Sequence, residues 1–145
     1  MKPVTVVKIG GNVIDNPAEL ATFLSDFARL PDPKILVHGG GVMANHMLER
    51  LGIEPKMIEG RRITDAETMQ VVAMVYAGWI NKTIVAQLQA AGCDAIGLSG
   101  ADGNSVRASR RPPETVDYGY AGDVVPGSVN VPFIGIFDYS EKTGT

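Results

Sequence analysis

The chain has 145 residues, 45% of them hydrophobic and 20% charged, with a formal net charge of −3 at pH 7. This length allows one domain with a hydrophobic core, and the negative charge argues against a nucleic-acid partner or an anionic membrane surface. Because Cys93 is the only cysteine, an internal disulfide is excluded and a cytoplasmic location is expected. The start of the chain has the pattern of neither a signal peptide nor a membrane span.

Strands and helices alternate over the first hundred residues. The elements predicted there are strands at 4–9, 34–38 and 95–98, and helices beginning at 17, 42 and 65. This alternation predicts an α/β fold, a three-layer α/β/α arrangement with a mostly parallel central sheet. Because the carboxyl ends of parallel strands meet at one edge, the residues that follow the strands are expected to lie together.

Two of the predicted helices carry start signals. Asn16 precedes Pro17 as a cap precedes the first helical position. The string at 64–67, Thr-Asp-Ala-Glu, matches a capping box and begins a long helix that ends near 91. The inward positions predicted for that helix are Val72, Val75, Tyr76, Trp79, Ile80, Thr83, Ile84 and Leu88. Apolar residues also occupy a second stripe, which predicts a homodimer through the 65–91 helix.

The texture of the sequence changes after Gly100. Segments 105–108 and 120–125 read as antiparallel strands around a polar loop that holds Arg110 and Arg111. This pattern predicts a β-hairpin lid over the edge of the sheet. The remaining segment, 131–145, reads as a poorly defined tail, in which Pro132 favours a helix and Gly135 weakens it.

Two glycine clusters follow the first two strands. Gly10 and Gly11 come two residues after Lys8, and a glycine triplet occupies 39–41. A strand, glycines and a helix in that order present main-chain N–H groups to an anion. Two such loops indicate two anionic groups held close together, as phosphoryl transfer requires, with Lys8 neutralising charge. The alternative is that the glycines form tight turns and Lys8 is a surface residue at a strand end. Neither a dinucleotide fingerprint nor a P-loop is present.

Other polar residues have two interpretations each. Arg61 and Arg62 are either a clamp for a carboxylate or a solvated pair on a loop. Asn81 and Lys82 are either part of a site or an exposed turn of an amphipathic helix. His38 and His46 have no second pair of metal-type ligands near them in sequence, so no metal site is predicted.

Several strings together resemble the amino-acid kinase superfamily, and within it the N-acetylglutamate kinase family. They are V-K-I-G-G-N at 7–12, V-H-G-G-G at 37–41, G-R-R-I-T-D at 60–65, N-K-T-I-V-A-Q-L at 81–88 and G-L-S-G-A-D-G at 97–103. The glycine string at 37–41 is common to several members of the superfamily. The arginine string followed by Asn-Lys is what points to the acylglutamate branch.

The resemblance implies roles for individual residues. Lys8 would be catalytic and contact the transferring phosphoryl group, and Gly10 and Gly11 would bind phosphate. The acceptor would be bound by the main chain at Gly40 and Gly41, and Arg62 would hold the α-carboxylate of an N-acylglutamate. The family reaction moves the γ-phosphoryl group of ATP, which is accompanied by Mg²⁺, to the side-chain carboxylate in arginine biosynthesis.

The resemblance covers residues 4–130, and the family continues beyond the end of this chain. Residues 1–130 are therefore expected to form the amino-terminal, substrate-binding lobe, without the nucleotide-binding lobe, and the chain alone is expected to be inactive. Three alternatives remain open: a non-catalytic module that binds an acyl amino acid or assembles with like subunits, another kinase of the superfamily, and, least favoured, a dinucleotide-dependent oxidoreductase.

Overall fold

A computed structural model describes residues 3–113 and 116–135 of the chain. The strands are β1 (Thr5–Lys8), β2 (Lys34–Val37), β3 (Met57–Ile58), β4 (Arg61–Arg62), β5 (Ala108–Arg110) and β6 (Gly122–Val124). The helices are α1 (Gly11–Asp15), α2 (Pro17–Ala28), α3 (Gly41–Arg50), α4 (Ala66–Ala73), α5 (Asn81–Ala90) and α6 (Val131–Gly135). A π-helical segment (Met74–Ile80) joins α4 to α5, and Asp102–Asn104 form a 3₁₀ turn.

The predicted α/β class is confirmed, with β1 and β2 as its parallel pair. Their register runs from Thr5 opposite Lys34 to Lys8 opposite Val37, so both strands end at the same level. The pairing extends by one more bond, in which the Ile9 N–H donates to the Val37 carbonyl over 3.0 Å. The shared ends bring the two glycine loops to one edge, as the alternating pattern predicts.

The strand predicted at 95–98 is wrong, because this segment is irregular in the structure. Side chains occupy two of its carbonyl groups: Gln89 Nε2 donates to Ala95 O over 3.1 Å and Lys82 Nζ donates to Gly97 O over 3.0 Å. In the described parts of the chain no strand pairs with it. Its backbone is thus held by α5 rather than by a neighbouring strand.

One face of the β1–β2 sheet packs on the core. Val7 and Leu36 lie side by side in the register and contact this core, whose buried members are Ile9, Ile14, Leu20, Leu24, Phe27, Ala44, Leu48, Val71, Val75, Ile80, Ile84 and Leu88. Side chains alternate across a strand, and the opposite face is open. There Val6 is 62% exposed and Val37 is 44% exposed.

The long helix is continuous from Ala66 to Ala90 but changes its winding in the middle. Its buried apolar positions are 71, 75, 80, 84 and 88, so the spacing is four except for one step of five. That step falls in the π-helical segment, where each turn holds an extra residue. The change of phase makes the predicted inward position of Trp79 wrong, since Trp79 is 48% exposed.

Length and composition alone would allow this helix to cross a membrane. The core helix of a soluble protein passes the same test, and 33% of the apolar window of this helix is buried. The helix starts one residue later than the capping box predicts, because the cap is Asp65, whose Oδ1 accepts from the Thr68 N–H over 2.9 Å. Thr64 instead pairs with the chain near Gly119.

The hairpin predicted after Gly100 is present, with its strands shifted to β5 and β6. Its loop is anchored beside β4: the Thr64 N–H donates to Tyr118 O over 3.1 Å, and the Tyr120 N–H donates to Thr64 O over 2.7 Å. The predicted tail begins with α6, which includes both Pro132 and Gly135. Its remainder, 136–145, lies outside the described residues.

Candidate functional site

The in-register ends of β1 and β2 place a lysine and two glycine loops at one edge. Lys8 is the last residue of β1 and is exposed. Among the described residues it has no hydrogen-bond or ion-pair partner, so its ammonium group is available to an anion. Gly10 caps the short helix α1 and Gly40 caps α3. Both loops therefore lead from the end of a strand directly into the start of a helix.

Gly40 can be replaced by no other residue without strain. Its φ is 155°, and a Cβ at this position would overlap Ile80 Cδ1 and lie 3.4 Å from the Tyr76 ring. Residues that carry a side chain rarely adopt such a φ. The side chains of Ile80 and Tyr76 on the long helix also fill the space next to Gly40. Within the triplet, Gly40 is therefore the member whose backbone conformation and packing both require glycine.

The side chain of Arg62 is fixed over the second glycine loop. Its Nη2 donates to Gly41 O over 2.8 Å and to Asn45 Oδ1 over 2.6 Å, and its Nε donates to the same Asn45 oxygen over 3.0 Å. In the part of the chain that the structure describes, no partner is found for the donors on Nη1. The guanidinium is thus oriented by the protein while two of its N–H groups remain free for a carboxylate.

The hairpin arginines are in a different situation, because both are paired. Arg110 Nη2 bonds both carboxylate oxygens of Asp117 at 3.0 and 3.1 Å, and Arg111 pairs with Asp123. The pKa of Asp117 is lowered by the Gly119 N–H and then by Arg110, and the pKa of Asp123 is lowered mainly by its hydrogen bonds from Arg111. These exposed pairs shape the hairpin, whereas Lys8 and the Nη1 donors of Arg62 have no partner among the described residues.

The structure thus brings together the predicted residues Gly40, Gly41 and Arg62, and it places Lys8, Gly10 and Gly11 on the adjacent strand end. Sequence reasoning missed Asn45, the side chain that orients Arg62. Asn45 lies four residues after Gly41, so the two share one face of α3. The signal for Asn45 in the sequence was a polar residue four positions after a glycine of the loop.

Comparison with known proteins shows the family of the chain. The profile of the amino acid kinase family matches residues 3–135. The chain belongs to the amino acid kinase family. The predicted family resemblance is therefore confirmed.

Curated relatives refine the position within the amino acid kinase family. The acetylglutamate kinase of Cytophaga hutchinsonii is 56% identical over 125 residues, which are 86% of this chain and 47% of that protein. The acetylglutamate kinase of Bacteroides thetaiotaomicron is 55% identical over 120 residues, 83% of this chain and 47% of the relative. The chain therefore spans about half the length of the relatives it matches.

Solved structures agree with the fold. The structure of smu.665 from Streptococcus mutans has a TM-score of 0.74 and 27% identity, over 97% of this chain and 56% of the other. An N-acetylglutamate synthase from Neisseria gonorrhoeae has a TM-score of 0.62 at 20% identity, over 94% of this chain and 33% of its own. At that identity the second similarity concerns the fold alone.

Proposed function

We propose that this chain supplies the acceptor-binding part of an acetylglutamate kinase, which transfers the γ-phosphoryl group of ATP to the side-chain carboxylate of N-acetylglutamate in arginine biosynthesis. The observation that carries the proposal is the guanidinium of Arg62, held by Asn45 and Gly41 with its Nη1 donors directed to no described residue. The names of the curated relatives support the same substrate and reaction.

In this proposal the site works by positioning and charge neutralisation. Arg62 holds the α-carboxylate, and the main chain at Gly40 and Gly41 lies against the acceptor. Lys8, together with the main chain at Gly10 and Gly11, stabilises the negative charge that develops on the transferring phosphoryl group. Interactions of this kind lower the barrier for phosphoryl transfer without a nucleophilic side chain.

ATP and Mg²⁺ enter the proposal through the family and not through a site in the described residues. Within 3–113 and 116–135, no three His, Cys, Asp or Glu side chains are grouped so as to hold a metal ion. The described residues therefore do not fit a magnesium site, and none of the roles proposed above depends on a metal ion. The nucleotide and its ion are assigned to the half of the relatives that this chain does not span.

We also propose a cytoplasmic homodimer formed through the long helix, with no nucleic-acid or membrane partner. Three of its large apolar side chains face outward: Met69 is 38% exposed, Met74 58% and Trp79 48%. Solvated surfaces of monomers seldom group such residues on one helix. The second copy of the chain is the occupant that the apolar stripe favours.

Calorimetric titration of N-acetyl-L-glutamate into the chain tests the proposed function. We expect Arg62→Lys to weaken binding about tenfold or more, because one ammonium group cannot both bond Asn45 and Gly41 and bind a carboxylate. Arg61→Lys is the matched control, since Arg61 is the exposed neighbour on β4 and its replacement leaves the affinity unchanged.

Two outcomes would contradict the proposal. One is equal affinity of the Arg62→Lys variant and the unchanged chain. The other is preference for L-glutamate over its N-acetylated form, which favours another kinase of the superfamily. Tight binding of N-acetyl-L-glutamate in a protein that carries both halves but forms no acyl phosphate would favour the non-catalytic binding module.

A further inference from the structure

A series of hydrogen bonds connects the second glycine loop to the segment at 95–98 through Asn81. Lys82 Nζ contacts both Gly97 O and Asn81 Oδ1 at 3.0 Å. The amide nitrogen of Asn81 lies 3.3 Å from His38 Nε2, and His38 Nδ1 lies 2.9 Å from Gly39 O. Asn81 is only 7% exposed, so the centre of this series is shielded from water.

The chemistry of each partner permits one arrangement of protons with a neutral imidazole. A carbonyl only accepts and an ammonium only donates. The hydrogen between His38 and Gly39 O therefore belongs to Nδ1, and Nε2 is left as an acceptor. The Lys82 ammonium fixes Oδ1 of Asn81 on its own side, which directs the Asn81 amide N–H groups to Nε2. Every hydrogen bond in the series then has one donor and one acceptor. Hydrogen bonds connected in this way strengthen one another.

Asn81 and its neighbour Ile80 each pack closely against a glycine. A Cβ on Gly97 would overlap Asn81 Oδ1, just as a Cβ on Gly40 would overlap Ile80 Cδ1. Ile80 ends the π-helical segment and Asn81 begins α5. Two successive residues of the long helix are thus linked to the glycine loop. Ile80 reaches Gly40 with its methyl group, and Asn81 reaches Gly39 through the ring of His38.

We propose that Asn81 is a positioning residue: it holds His38 in the Nδ1–H tautomer and, through the bond to Gly39 O, sets the conformation of the 39–41 loop. Lys82 assists by orienting the Asn81 amide. A role of the loop in binding the acceptor rests on the proposed function. The positioning of the loop by Asn81 does not rest on it, and it can be tested without a ligand.

The test is NMR spectroscopy of the chain with ¹⁵N-labelled histidine and glycine, at about pH 8, where a free imidazole is neutral. Long-range ¹H–¹⁵N correlations report which ring nitrogen carries the proton. We expect His38 to show a protonated Nδ1 and an unprotonated Nε2. The exposed His46 serves as the internal reference. A protonated Nε2 on His38 in the unchanged chain overturns the proposal before any variant is made.

Asn81→Asp replaces the amide donor with an acceptor, so Nε2 must become protonated to keep its bond. We expect that change in the His38 spectrum, together with shifted amide resonances of Gly39, Gly40 and Gly41. Gln89→Glu is the matched control, because it makes the same exchange on α5 at a side chain that contacts Ala95 O. It should leave His38 and the loop unchanged.

Lys82→Met provides a second variant, at an exposed position of α5. Freed from the ammonium, the Asn81 amide can rotate, so we expect His38 to populate both tautomers. If Asn81→Asp leaves the His38 ring and the loop glycines as they are in the unchanged chain, Asn81 does not position the loop. If Lys82→Met does so, Lys82 does not orient the Asn81 amide. Failure of N-acetyl-L-glutamate to bind would affect none of these spectra, so the two proposals fail separately.

Discussion

At the scale of single residues, two side chains of the long helix pack against the second glycine loop. Ile80 and Tyr76 close the space that a Cβ on Gly40 would need. On the other side of the loop, Asn45 and the Gly41 carbonyl orient Arg62. The contacts around Gly40 and Gly41 therefore join residues up to 40 positions apart, as Gly40 and Ile80 are.

Gly40→Ala is expected to lower the free energy of unfolding by about 1–3 kcal/mol, the cost of holding a residue in a rarely adopted backbone conformation. The overlap with Ile80 Cδ1 adds to this cost. Urea unfolding followed by circular dichroism gives the value.

Gly39→Ala is the control for that measurement, because a Cβ on Gly39 would have no heavy atom within 4 Å. If both alanine variants unfold at the same urea concentration, the argument from the shape of the loop at Gly40 is wrong.

At the scale of elements, the capping residues decide where the helices begin. Asn16 Oδ1 accepts from the Ala18 and Glu19 N–H groups at the start of α2, as its position before Pro17 predicts. Asp65 plays this role for α4, and the bond from the Thr68 N–H lowers the pKa of its carboxyl group. The long helix that backs the glycine loop is thus anchored at its start by an ionised cap.

Asp65 should make the stability of the chain depend on pH in the acid range. Its pKa in the folded chain is below the ordinary value of about 4, so its contribution is present above that pH and is lost as pH falls through the lowered pKa. Asparagine also caps helices but does not titrate. We therefore expect Asp65→Asn to weaken the fall of the unfolding free energy between about pH 5 and pH 3.

Urea unfolding at several pH values measures this slope, and Asp94→Asn, at an exposed position, controls for the loss of one carboxylate. A slope that is the same in Asp65→Asn and in the unchanged chain would show that the cap does not contribute through its charge.

At the scale of the whole molecule, the described residues leave apolar surfaces exposed, and two of these lie on the sheet and on the long helix. One is the open face of the β1–β2 sheet around Val6 and Val37, and the other is the outward side of the long helix at Met74 and Trp79. The relatives are about twice as long as the matched part. The helix surface is the one assigned above to a second copy.

Sedimentation equilibrium tests the dimer. We expect a mass near twice the 15.4 kDa of the chain, reduced to the monomer by Trp79→Glu, because a charge cannot be buried unpaired in an apolar interface. Tyr76 is not suitable for this change, because it is half-buried against Gly40 and would report on the loop instead.

Met57→Glu is the control for the dimer, since Met57 is equally exposed at 48% but lies on β3. A mass of 15.4 kDa for the unchanged chain at every concentration would mean that the helix surface has no partner of the same sequence.

The sequence by itself determined the strands β1 and β2, the helices α2 and α3, the long helix, the two glycine loops and the cap at Asn16, because these depend on local periodicity and on turn chemistry within a few residues. The family resemblance also predicted a site of Gly40, Gly41, Arg62 and Lys8. The structure places Arg62 on Gly41 and Lys8 at the end of the neighbouring strand, and the roles of these residues stay predictions. That β1 and β2 pair in parallel also follows from the alternation of strands and helices.

Only the tertiary structure decided the rest. The π-helical turn that exposes Trp79 arises where the long helix packs around Gly40, and the irregular backbone at 95–98 follows from bonds to Gln89 and Lys82. The pairing of Asn45 with Arg62 and of Asn81 with His38 joins residues 17 and 43 positions apart. Contacts at such distances along the chain leave no period in the sequence, since they depend on how whole elements pack.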